Sequence, residues 1–90
     1  MEAMNQGNES DKDGQLLQGI IDIFEEVLGV NPVNEDDHFF HLGGHSLIAI
    51  RVVARLHSTF GIQVPVRAIF DHSTPIGLAE HIRQRNKPFA

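Results

Sequence analysis

Residues 41–61 read "HLGGHSLIAIRVVARLHSTFG". A loop closes on two adjacent glycines, Gly43 and Gly44, and Ser46 then opens a run that keeps helical apolar spacing as far as Phe60. Leu47, Ile48, Ala49, Ile50, Val52, Val53, Ala54, Leu56 and Phe60 make this helix apolar around much of its circumference, with Arg51, Arg55 and His57 as the main polar interruptions. A helix so apolar in a small domain either lies at its centre or leaves part of its surface for a partner. Gly61 supplies a left-handed stop. Ser46 reads as the N-cap, a role worth about 1 kcal/mol. Capping requires no glycines before it, and each one destabilises by roughly 0.5–1 kcal/mol where its freedom is unused. The pair therefore implies a sharp backbone turn, or another molecule that must come close to the hydroxyl.

Working outward, Leu16, Leu17, Ile20, Ile21, Phe24, Val27 and Leu28 form a stripe that only an α-helix places on one face. This predicts a first helix from about Gln15 to Leu28, ended by Gly29 and barred from continuing by Pro32. The stretch from Val30 to Gly44 shows no sustained period, and Phe39 and Phe40 are expected to pin it to the core. Loops of such length are uncommon in compact domains and usually functional. Beyond the second helix, Pro65 confines any strand in "GIQVP" to an edge, and "VRAIF" suits a turn or two of helix. Thr74 and Pro75 are the cap and first position of a last helix, with Ile76, Ala79 and Ile82 facing inward. The fold class expected is all-α: three main helices and one short one.

Composition narrows the function. The chain has 90 residues, and its first fourteen show no apolar periodicity and a polar, Asn-, Ser- and Asp-containing make-up. Residues 1–14 are expected to be a disordered tail, 15–86 the domain, and 87–90 a short C-terminal tail. A domain this small buries only some 60–65 per cent of its unfolded surface, enough for a thin core but not for a deep, walled active site. It has no cysteine for disulfides or thiolate metal sites. No apolar run approaches a membrane span and no signal-peptide pattern opens the chain, so a cytoplasmic protein is expected. The net charge is −5, and from residue 16 onward eight acids stand against six bases. That distribution lacks the basic stripe that nucleic-acid binding requires.

Catalysis by Ser46 meets geometric objections. His45 is its neighbour, but adjacent helical residues point about 100° apart and no third group is evident to orient the imidazole. His38, His41 and His45 have the spacing H-x2-H-x3-H, which completes no zinc motif, so no metal site is expected. The residues alone leave a helical interaction module that uses the Leu47 and Ile50 face, with a small hydrolase acting through Ser46 as the weaker rival.

The stretch "DDHFFHLGGHSLIAIRVVARL", residues 36–56, resembles the modification-site signature of peptidyl carrier proteins, the thiolation domains of nonribosomal peptide synthetases. The resemblance runs on through "GIQVPVRAIFDHSTPIGLAEHI" to Ile82 and back across the first helix. It implies a four-helix bundle of the acyl carrier protein type. Ser46 would be the attachment point of 4′-phosphopantetheine, transferred from coenzyme A by a phosphopantetheinyl transferase, and the arm's thiol would carry an aminoacyl or peptidyl thioester. The carrier itself would make no bonds, which suits a chain with neither cleft nor cysteine. Gly43, Gly44 and His45 would flank the site, the glycines keeping bulk away as the transferase approaches.

The same resemblance assigns docking of an adenylation enzyme or domain, and of condensation or tailoring enzymes, to Leu47, Ile50, Arg51 and Ala54 on the second helix and Val66, Arg67 and Ile69 on the short one. Fatty-acid and polyketide acyl carriers more often have Asp before the serine and an acidic second helix. Here His45 takes that place and no acid falls between Ser46 and Phe60. Recognition should therefore lean on apolar contacts, favouring an amino-acid carrier over an acyl one, with a carrier of unusual acyl cargo as the alternative. The resemblance itself implies a place in antibiotic-type biosynthesis. A monomer of the free-standing type is expected.

Overall fold

Stripes of apolar residues at helical spacing are stable only when packed against one another, and four helices do so in a computed structural model that describes the backbone of residues 8–85 and side chains from Gly14 onward. They are α1 (Asn8–Leu28), α2 (Ser46–Phe60), α3 (Arg67–Asp71) and α4 (Pro75–Arg85). No strand occurs among the described residues, and residues 61–65 form an irregular connection. No described helix is long and apolar enough to cross a membrane.

The core is drawn from every helix. Ile20, Ile23 and Phe24 of α1 meet Ala49, Val52 and Leu56 of α2, Ala68 and Ile69 of α3, and Leu78, Ala79 and Ile82 of α4. Each large apolar side chain buried there contributes roughly 1.5–3 kcal/mol. Phe60 is partly exposed, and its ring lies against α1 at Gly19, where a Cβ would collide with it. The inward face of α4 is Pro75, Leu78, Ala79 and Ile82, whereas Ile76, expected inside, is turned toward solvent. Helix rotation explains the difference: Leu78 sits two residues on from Ile76, and both cannot face the core.

The start of α1 also departs from expectation. The helix is already present at Asn8, seven residues before Gln15, so residues 8–14 are helical rather than an irregular tail. Apolar spacing marks where a helix packs, not where it begins, and propagation beyond a formed nucleus costs little where no proline intervenes. Residues 1–7 of the expected tail, and residues 86–90 with the expected domain end and C-terminal tail, lie outside the described residues.

The loop between α1 and α2 is tied down at three points. The Val33 N–H donates to the Glu25 carboxylate at 2.9 Å, the Phe39 N–H to the Ser73 carbonyl at 2.8 Å, and the Ile76 N–H to the Glu35 carbonyl at 2.9 Å. Phe39 is wholly buried, set edge-on to Phe24 with ring centroids 5.3 Å apart, and Phe40 is half-buried against it. Both phenylalanines thus pin the loop to the core, as their place in the sequence suggested.

Candidate functional site

Ser46 begins α2, and the residues before it set its position. Gly43 has φ of +99°, a backbone conformation that side chains with a Cβ rarely adopt. Gly44 is needed for another reason: a Cβ there would overlap the Phe39 ring, 2.6 Å from Cζ and nearer still to Cδ2 and Cε2. The Gly44 N–H donates to the Phe39 carbonyl at 3.0 Å, and the Leu42 N–H reaches the same oxygen at 3.2 Å. His45 is extended, with φ −155° and ψ −175°, and it is the N-cap of α2. The two glycines therefore have separate reasons within the chain itself, a turn at one and a buried ring at the other.

The capping expectation for Ser46 is corrected by this geometry. His45 occupies the capping position without a side-chain hydrogen bond to the helix, and Ser46 is the first helical residue. The cause is the straight run of His45, which delays helical dihedrals by one residue. The Ser46 side chain is exposed. The first intrahelical bond here runs from the Ala49 N–H to the His45 carbonyl at 2.8 Å, so the N–H groups of Ser46, Leu47 and Ile48 precede the hydrogen-bonded ladder. No acid lies in the first turn. An exposed hydroxyl beside unpaired N–H groups, at the positive end of a helix without a nearby carboxylate, suits an attached phosphodiester such as that of phosphopantetheine.

The residues expected at a docking face divide. Leu47 is 58% and Ile50 51% exposed, with Arg51 and Ala54 also at the surface of α2. Arg67 is exposed and pairs with Asp71 at 3.3 Å, while Val66 is half-buried. Ile69 does not belong with them: it is fully buried in the core, because the single turn of α3 that packs inward is Ala68–Ile69. Its neighbour Phe70 takes the outward position instead, 41% exposed and stacked on Phe40 with centroids 5.3 Å apart. Nearby, His38 and His41 stack on one another at 4.5 Å, and no cluster of three metal-ligating side chains occurs among the described residues.

Residue patterns alone did not show the Phe39–Gly44 contact or the Phe40–Phe70 stack. The available signal was the paired phenylalanine a few residues ahead of the paired glycine.

Comparison with known proteins fits this geometry. The family model described as "phosphopantetheine attachment site" matches residues 18–82. Tyrocidine synthase 3 of Brevibacillus parabrevis is 45% identical over 65 residues, which are 72% of this chain but 1% of that protein. The dimodular nonribosomal peptide synthase of Bacillus subtilis (strain 168) is 44% identical over 63 residues, 70% of this chain and 3% of that one. The chain thus spans only a small part of the length of such relatives. Among solved structures, BlmI, a type-II acyl-carrier-protein from Streptomyces verticillus involved in bleomycin biosynthesis, superposes with a TM-score of 0.81 at 26% identity, covering 87% of this chain and 94% of that one. A peptidyl carrier protein in complex with the phosphopantetheine transferase Sfp and coenzyme A gives 0.73 at 33% identity, over 78% and 91% of the two chains. With the matched region enclosing α2 and most of the core, the chain belongs to the phosphopantetheine attachment site family, as a carrier domain of the nonribosomal peptide synthetase type that bears 4′-phosphopantetheine and is not itself catalytic.

Proposed function

We propose that Ser46 is the residue that carries 4′-phosphopantetheine, and that this domain holds an aminoacyl or peptidyl group as a thioester on the arm and presents it to partner enzymes of nonribosomal peptide assembly. The observation that carries this reading is the exposed Ser46 hydroxyl at the first residue of α2, beside N–H groups outside the helical ladder. In the loading step the Ser46 oxygen attacks the β-phosphorus of coenzyme A. The new O–P bond replaces the bond to adenosine 3′,5′-bisphosphate, and the serine proton passes to a base on the transferase. The helix N-terminus favours the resulting phosphodiester.

Partners follow from the cargo: a phosphopantetheinyl transferase supplies the arm, an adenylation enzyme or domain loads it, and condensation or tailoring enzymes take the load. The absence of acids from α2 favours amino-acid cargo over acyl cargo, since recognition then rests on Leu47 and Ile50 rather than on a negative helix. The domain acts in the cytoplasm, where coenzyme A is available.

The test is intact mass after incubation with coenzyme A, magnesium and a promiscuous transferase. One phosphopantetheinyl group should be added, and Ser46→Ala should abolish the addition. Modification that persists at another residue in that variant would overturn the assignment. No addition to the wild type would favour a non-covalent interaction module that uses the same exposed face.

A further inference from the structure

We propose that Phe39 and Gly44 form a positioning pair for the attachment reaction: the buried Phe39 ring is the seat on which the Gly44 backbone rests, and that seat fixes where the Ser46 hydroxyl is presented. The inference rests on Ser46 as the attachment residue and adds an assignment within the carrier itself.

Phe39 is the best-anchored residue of the loop. Its ring is wholly buried against Phe24 and Phe40, with centroids 5.3 and 5.2 Å away, and its N–H is held by the Ser73 carbonyl at 2.8 Å. Its carbonyl accepts from both Leu42 and Gly44. The ring thus cannot swing aside without opening the core, and its edge fills the space that a Cβ on Gly44 would need. From Gly44 the chain reaches Ser46 through one extended residue, His45, whose carbonyl then receives the first helical bond from Ala49. A displacement at Gly44 is passed along that straight link to the hydroxyl. The rest of α2 would not follow, because Ala49, Val52 and Leu56 hold it in the core.

This separates two reasons for a glycine at position 44. If the transferase needed the space, any Cβ there would obstruct it whatever lies beneath. If the Phe39 seat is the reason, shrinking the ring should make the Cβ harmless.

The experiment compares Gly44→Ala in two backgrounds, wild type and Phe39→Leu, by steady-state phosphopantetheinylation and by circular dichroism at the assay temperature. In the wild type Gly44→Ala should lower kcat about ten- to a hundredfold, the order expected of an ångström-scale misplacement, with KM for the carrier nearly unchanged because Leu47 and Ile50 are undisturbed. In the Phe39→Leu background the same change should alter kcat by no more than about twofold, the scatter of independent effects. Should Phe39→Leu fail to fold, Phe39→Met, whose flexible side chain can also yield, replaces it in the same comparison.

Equal losses in both backgrounds would overturn the proposal in favour of direct contact between Gly44 and the transferase, and no loss in the wild type would overturn it outright. Either result leaves Ser46 as the attachment site. Labelling that survives Ser46→Ala would instead remove the reading on which the proposal stands.

Discussion

At the first turn of α2 the capping position belongs to His45, whose side chain makes no hydrogen bond to the helix, whereas at the first turn of α4 the Thr74 hydroxyl accepts from the Gly77 N–H at 3.1 Å. The two hydroxyls that look alike in sequence, Ser46 and Thr74, therefore have different weights. Removing Ser46 Oγ takes away no cap and leaves no cavity, so Ser46→Ala should change stability by less than about 0.5 kcal/mol, the range of ordinary surface substitutions. Thr74→Ala leaves the Gly77 N–H without its acceptor and should cost about 1 kcal/mol. Paired chemical-denaturation curves measure both. An unfolding loss at Ser46 equal to that at Thr74 would mean that the serine is structural. The Thr-Pro pair announced its cap because Pro75 fixes the first helical position by its own ring geometry. Nothing in "GHSL" distinguishes His45 from Ser46 as the cap, since the choice depends on the extended dihedrals of His45.

Among the elements, α3 is the least able to stand alone, for five residues cannot offset the cost of helix nucleation in water. It is held by the buried pair Ala68 and Ile69, by the Phe40–Phe70 stack, and by the stack of His72 on His81 of α4, with centroids 4.3 Å apart. The last contact makes the junction sensitive to acid. Burial lowers the pKa of His81 below the ordinary 6.5, His72 and Arg85 lower it further, and only Asp71 opposes them. The folded protein thus binds a proton at His81 less readily than the unfolded chain does. Its contribution to stability is complete above about pH 6.5 and is lost as the pH falls below that value. Melting temperature should therefore decline from pH 7 to 5 more steeply in the wild type than in His81→Gln, whatever the two values at pH 7. Parallel slopes would show that the pair does not couple to folding. The main helices were legible because each buries a stripe long enough to display its period. In α3 fewer than two turns exist, so the sequence could not separate the buried Ile69 from the exposed Phe70. The stacks that hold α3 join side chains from different elements, and no local pattern encodes them.

Considered as one body, the molecule buries apolar residues from all four helices and still leaves Leu47 and Ile50 more than half exposed beside the proposed attachment site. A net charge of −5 on the whole chain coexists with a second helix that has no acid at all, so long-range charge and the exposed apolar face of that helix favour different kinds of encounter. If docking is governed by desolvation of that face, Leu47→Asp should slow aminoacylation of the already modified carrier by about tenfold or more, the effect of losing one apolar anchor. The fold should hardly notice the change. Leu47 is more than half exposed, and a carboxylate in the first turn of a helix is favoured by the dipole. Salt then separates the two causes of slower loading. Repulsion between the new charge and the phosphodiester or an acidic partner would fade as ionic strength rises, because screening acts over about 10 Å at 0.1 M and less at higher salt. The cost of burying a polar group would remain, and Leu47→Asn would share most of it without any charge. The expected result is therefore slow loading in both variants, little recovery in salt, and melting temperatures close to the wild type. Loading at the original rate would show that the enzyme tested docks elsewhere, and a collapsed melting temperature would place Leu47 in the core despite its exposure.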